Sequence, residues 1–192
     1  MHAFDFIVLL FSFVYAAAVA QILGTTGEIV IASDRLQISW LNAGWMLLSL
    51  LVTCAWWIGL WDLREIRVWT TGLTAFFFAA ASLIYVLTRM VSPRIPHEGK
   101  LDIVAFHRGE GRKYIGFYAC ICLLTIGTNS LLGPATGAIE WPAQNLAVTP
   151  MFVAAIIAAI FIRTIWVQAA AILIEMVAWA VYFAFLQPPL SG

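Results

Sequence analysis

Charge is scarce in this chain. Asp, Glu, Lys and Arg make up only 10% of its 192 residues, ten basic and ten acidic, against 63% apolar side chains. Soluble proteins average about 25% charged and roughly 45–50% apolar residues, so twenty charges are too few to cover a water-facing surface. A mean hydropathy of +0.95 agrees. The shortage excludes a soluble enzyme and a disordered chain, and the balance of signs leaves no basic surface for nucleic acid. A polytopic membrane protein remains.

Other residues are missing from particular places. Lysine occurs only at Lys100 and Lys113, beside one polar connection, so no covalent retinal is expected inside the bundle. His2, His97 and His107 all lie outside the apolar runs, which argues against a haem held by a mid-span His ligand. Cys54, Cys120 and Cys122 fit neither an even disulfide framework nor a zinc spacing and read as small buried side chains. No metal site is expected, because His107 and Glu110 would supply two ligands at most. Arg108-Gly109-Glu110-Gly111-Arg112-Lys113 lacks the spacing of a phosphate-binding loop. No Ser/His/Asp or Cys/His set converges at one depth, so a lipid-modifying enzyme has no nominated nucleophile.

What the chain does have is long apolar runs. A bilayer core about 30 Å thick needs roughly 20 helical residues, and six runs emerge, at residues 4–32, 39–61, 69–91, 114–132, 148–162 and 165–186. They are apolar all round rather than alternating, so helices are expected and a β-barrel is not. The fold class is therefore all-α: one membrane domain over residues 1–192 with six transmembrane helices. Phe6–Tyr15 followed by Ala18-Val19-Ala20 imitates a signal peptide, but Asp5 stands where basic residues belong, and the run reads as a retained span.

Basic residues in short connections set orientation. Eight of the ten, Arg35, Arg89, Arg94, Lys100, Arg108, Arg112, Lys113 and Arg163, fall on one side, leaving only Arg64 and Arg67 on the other. Both termini are then expected outside. Tryptophans 56, 57, 61, 69 and 141 would mark the outer interface, and 40, 45 and 166 the inner one. Two connections are long. The inner one, 92–113, is broken by Pro and Gly and includes Leu101–Phe106, which can lie in the interface. The outer one, 133–147, has no basic residue and reads as a surface loop, with a re-entrant segment as the alternative. The inner connection's excess of basic residues suits lipid headgroups. No internal repeat stands out.

Because lipid offers no hydrogen-bond partners, ionisable groups in spans mark sites or helix contacts. Glu175 lies near the middle of the sixth run, with Gln168 and Tyr182 seven residues to either side on nearly one helical face. These three form the candidate polar site. Glu175 either exchanges a proton or cation or fixes register as a hydrogen-bonded acid. Gln21, Thr25 and Glu28 on the first run, and Ser82, Tyr85 and Arg89 on the third, end at similar depth, so Glu28 and Arg89 are a candidate ion pair, as a gate or as a clasp. Asn42, Ser49 and Thr53, and Cys122, Thr125 and Asn129, form milder polar stripes. Ser12, Ala16, Ala20 and Gly24 recur every four residues, as do Ala154/Ala158 and Ala155/Ala159, giving ridges for close helix approach in the bundle or between subunits.

Phe4-Asp5-Phe6 through Phe11-Ser12-Phe13-Val14-Tyr15, the stretch Trp56-Trp57-Ile58-Gly59-Leu60-Trp61-Asp62-Leu63-Arg64, and the run from Tyr85 to Pro93 resemble a group of uncharacterised bacterial inner-membrane proteins over roughly residues 1–120. The resemblance implies a multi-span protein of the bacterial cytoplasmic membrane and supplies no activity. Two functions fit the residues: a small proton or ion channel or carrier, probed through Glu175, and an accessory or scaffold subunit of a larger membrane complex. The partners expected are the lipid bilayer and either further copies of the chain or other membrane subunits.

Overall fold

The computed structural model describes residues 3–66, 68–96, 100–136 and 152–186. Six α-helices dominate: α1 Ala3–Ile31, α2 Trp40–Gly59, α3 Thr71–Val91, α4 Ile103–Thr136, α5 Phe152–Phe161 and α6 Ile165–Val181. A π-helical turn, Tyr182–Leu186, extends the last of them. Their starts are set by short polar side chains. Ser39 accepts a hydrogen bond from the Asn42 amide at 3.3 Å, Thr70 from that of Leu73 at 3.2 Å, and Asp102 from that of Ala105 at 2.9 Å.

Among the described residues, four helices, Phe4–Ile31, Trp40–Gly59, Thr71–Val91 and Ile165–Ala184, are long and apolar enough to cross a membrane. The other two expected spans differ from the sequence reading. The run at 114–132 is the apolar part of the longer α4. In the run at 148–162 the described helix is the 10-residue Phe152–Phe161, about 15 Å long at 1.5 Å per residue and half a bilayer deep. Residues 148–151 lie outside the described part, as do 137–147 of the expected outer loop, whose residues 133–136 are the last turn of α4.

The inner connection is shorter than 92–113. Leu101–Asp102 forms a strand and Ile103 begins α4, so Leu101–Phe106 is divided between a strand and the first turn of a helix. Asp102 caps the start of α4, accepting from the Ala105 amide. Glycines 109 and 111 are accommodated within the helix, and a Cβ on Gly111 would come within 3.4 Å of the His107 ring.

Leu36–Gln37 pairs in parallel with Leu101–Asp102, Leu36 opposite Leu101 and Gln37 opposite Asp102. The α1–α2 and α3–α4 connections therefore meet at one end of the bundle. The Arg112 guanidinium stands 5.9 Å from the Phe161 ring centroid, which brings the end of α5 near the same level. Basic residues from three connections gather there.

α2 is the hub, packed against α1, α3, α4 and α6. At Gly44 it meets α6 tightly: a Cβ there would stand 2.9 Å from Cγ2 and 3.0 Å from Cδ1 of Ile172. α1 buries Ile7, Phe11, Tyr15, Ala18 and Ile22, spaced three and four apart. The small-residue ridge of α1 lies beside this stripe: Ala16, Ala20 and Gly24 are exposed, and no atom outside its own helical surroundings comes within 4 Å of a Cβ built on Gly24. Large side chains at 7, 11 and 15 contribute more apolar area to the core than the small ones can, so they turn inward. On α5 the expectation holds for Ala155 and Ala159, which are buried, and not for the exposed Ala154.

Two tryptophans expected at interfaces are core residues. Trp45 is buried, and Trp56 is buried with its indole N–H donating to Thr125 Oγ1 at 2.9 Å. Trp40, Trp57, Trp61 and Trp166 are exposed near helix ends, and the Arg64 guanidinium lies over the Trp61 ring at 4.8 Å. Cys120 is exposed rather than buried; Cys54 and Cys122 are half-buried.

Candidate functional site

Gln168 and Glu175 both turn into the bundle, with Glu175 fully buried, while Tyr182 is half-buried. The three do not share partners. Gln168 Nε2 donates to the carbonyls of Ala159 and of Ile162, the latter at 3.3 Å, which ties α6 to the end of α5. Tyr182 packs edge-on against Trp179 at 5.4 Å between ring centroids. Glu175 reaches across to α4, where Tyr118 donates to its Oε2 at 3.2 Å.

The direction of this hydrogen-bond chain is fixed by chemistry. An indole N–H can only donate, so Trp179 Nε1 gives its hydrogen to the Tyr118 hydroxyl at 2.8 Å and Tyr118 gives its own to Glu175. Trp45 on α2 closes the group, edge-on to Tyr118 at 5.5 Å and 73°, and the Cys122 thiol adjoins the Tyr118 hydroxyl. Glu175 Oε1 and Gln168 Oε1 are buried with no partner in the structure. Buried acceptors are nearly always satisfied, so Oε1 of Glu175 is where a proton, a water or a cation would complete the site.

Tyr118, Trp45 and Trp179 were missed in the sequence reading. A signal was present: Trp179 follows Glu175 by four residues, one helical turn, and Tyr114 and Tyr118 place two hydroxyls one turn apart in an apolar run. Removing the Tyr118 hydroxyl strands two buried groups at once, each at a cost of about 1–3 kcal/mol. We predict that Tyr118→Phe lowers the thermal midpoint in detergent, and that adding Trp179→Phe to it costs less than Trp179→Phe alone. Additive costs would show that the indole does not depend on that hydroxyl.

A second polar cluster sits one turn nearer the basic end. Asn42 Nδ2 donates to the Val91 carbonyl at 3.0 Å and, at 3.5 Å, to the Tyr114 hydroxyl, which is hydrogen-bonded to His107 Nδ1. Asn42 Nδ2 can only donate, so the Tyr114 hydroxyl accepts from it, and the Tyr114–His107 hydrogen bond ties the buried imidazole into the same cluster. Burial holds His107 below its ordinary value of 6.5. The unfolded chain takes up a proton that the native state refuses, so stability is full above that value and falls as pH drops through the lowered one. The thermal midpoint should decline from about pH 7.5 to about pH 5.5, and His107→Gln should flatten the decline. A slope identical in the variant would assign it to another group.

The mild stripe on α2 is buried at Asn42, Ser49 and Thr53, but Ser49 and Thr53 spend their hydrogens on carbonyls one turn back, those of Trp45 at 2.8 Å and Ser49 at 2.7 Å. On α4, Thr125 receives Trp56; the side chain of Asn129 lies outside the description. Ser49 and Thr53 thus bond within α2, and Thr125 ties α4 to α2.

Glu28 and Arg89 both line a cleft of about 510 Å³ between α1 and α3. They do not form the expected ion pair in this structure, since Arg89 Nη1 donates to Gln21 Oε1 at 2.5 Å instead. Gln21 is in turn held by Thr25, donating to its Oγ1 at 3.1 Å. Glu110 is taken by Lys113, with nitrogen–oxygen distances of 3.0 and 2.8 Å, and no group of metal-ligating residues occurs among the described residues.

An all-helical chain with four apolar helices of membrane-spanning length among its described residues is compatible with an integral membrane protein. Against known protein families, curated proteins and solved structures the chain gives no match.

Proposed function

We propose that this chain is a small proton or cation carrier or channel of the bacterial inner membrane, with Glu175 as the group that binds and releases the ion. One observation carries the reading: a carboxyl fully buried in α6 has a donor on Oε2 and none on Oε1. A carboxyl serving only to fix helix register would be expected to have both oxygens engaged. Tyr118 and Tyr114, one turn apart on α4, lead from Glu175 toward His107 at the basic end, an order of sites for a proton entering from that side. The surplus of basic residues at that end supports a cytoplasmic assignment, with six spans and both termini outside.

The test is a flux assay. Proteoliposomes holding the purified chain should acidify or alkalinise under an imposed potential faster than empty vesicles. No flux of protons or of any small cation would overturn the proposal.

A second reading has its own support in the outward ridge of α1. Ala16, Ala20 and Gly24 face away from the core beside exposed Phe13 and Leu23, a surface suited to another helix, as in an accessory subunit. Copurification of a distinct membrane protein at fixed stoichiometry, together with absent flux, would favour it.

A further inference from the structure

We propose that the cleft between α1 and α3 at the basic end is a binding site for a phosphate-bearing ligand, with a glycerophospholipid headgroup as the source its position favours. The cleft is walled by Arg89, Ser92 and Arg94 on one side and by Gln21, Thr25 and Glu28 on the other. A neighbouring cleft of about 480 Å³ shares Arg89, Ser92 and Arg94, so the two arginines stand on a ridge open to both sides.

Three observations point to an anion carrying oxygen acceptors. Arg89 is held in place by Gln21, itself fixed by Thr25, and this bond uses one of the five guanidinium N–H donors. The remaining donors are available to a ligand without the entropy loss of ordering a free side chain. Arg94 is exposed at the cleft and brings a second guanidinium. Ser92 lines both clefts, is 6% exposed, and its hydroxyl has no hydrogen-bond partner. A buried hydroxyl without an acceptor beside two arginines is the donor set that a phosphate satisfies, since guanidinium groups match its geometry bidentately.

The position argues for a lipid. Ser92 and Pro93 stand where the apolar part of α3 ends, the level at which headgroups meet helix termini. The cleft continues along Ala20, Gly24 and Val86, small or apolar positions that admit an acyl chain. Glu28, across from the arginines, suits the ammonium of a zwitterionic headgroup, while the net charge of the wall still favours a phosphate. This site is separate from Glu175, and its test does not depend on ion flux.

Delipidated protein in detergent is titrated with phosphatidylglycerol, phosphatidylethanolamine, glycerol 3-phosphate and diacylglycerol, with thermal midpoint and native mass spectrometry as readouts. Stabilisation by the phospholipids and not by diacylglycerol is expected. Stabilisation by glycerol 3-phosphate alone would keep the phosphate site and assign it to a soluble ligand. Arg94→Gln, and separately Arg89→Lys, should weaken the interaction roughly tenfold, the scale of a charge-assisted hydrogen bond. Arg108→Gln removes the same charge outside the cleft and should bind as wild type. Equal weakening by Arg108→Gln, or equal stabilisation by diacylglycerol, would overturn the proposal.

Discussion

Replacing Glu175 with Gln should reduce proton flux in proteoliposomes by about 10²-fold, the lower range for losing a positioned proton-transfer group. Gln matches Glu in size, and its amide oxygen can accept the Tyr118 hydrogen as the carboxylate Oε2 does at 3.2 Å. Its NH₂ then stands where Oε1 now lacks a partner. The substitution removes titration and keeps the volume, but leaves a buried NH₂ without an acceptor, so the thermal midpoint should fall modestly, by a cost of about 1–3 kcal/mol, while flux collapses. A variant that conducts like wild type would remove Glu175 from the mechanism. A variant that no longer folds in detergent would assign the residue to the fold, because the cost of one buried unpaired amide is only about 1–3 kcal/mol. Tyr118→Phe should give an intermediate flux, since it deletes the Glu175 donor and leaves the carboxyl.

The second large effect is expected at Gly44. A Cβ there would meet Ile172 Cγ2 at 2.9 Å and Cδ1 at 3.0 Å. Cγ2 is fixed to the branch point of Ile172 and cannot swing away as the tip can, so Gly44→Ala should force α2 and α6 apart and cost about 1–3 kcal/mol. Gly44→Leu should prevent the two helices from closing. Ile172→Ala alone leaves a cavity and costs about 2–5 kcal/mol, toward the low end because the residue is 8% exposed. Combined with Gly44→Ala it should cost less than the sum, the new methyl entering the space vacated. Thermal unfolding of the four proteins in one detergent measures this coupling, and strict additivity would mean that the two residues do not touch. The same contact holds the α6 backbone three residues before Glu175, so the double variant also tests whether helix spacing sets ion flux.

The helices were legible from the sequence because each apolar run must satisfy its own backbone in lipid. The length of α4 was not, because Pro93, Pro96 and two glycines near its start suggested a loop, whereas one capping aspartate suffices to begin a helix within it. Glu175 and Gln168 stood out as polar residues in an apolar run. Their partners did not, since Tyr118 and Trp179 are amphipathic side chains whose polar atoms matter only once a neighbouring helix is placed. The Glu28–Arg89 pairing was inferred from depth alone, and depth does not decide which of two acceptors, Glu28 or Gln21, a guanidinium reaches. The outward ridge of α1 shows the same limit: spacing reveals a face, and competition with larger side chains decides which way it turns.

The two-residue strand pair also has a consequence for how the chain is made. Leu36 must wait for Leu101, and at about 5–20 residues per second the ribosome delivers it roughly 3–13 seconds later. During that interval α1 and α2 have emerged with their connection open, and α3 must be in place before the pair can close. The pair can therefore close only after the first three helices have been made. Chains halted before Leu101 would leave the Leu36–Gln37 edge unpaired, a feature by which unfinished protein differs from finished protein at the membrane surface.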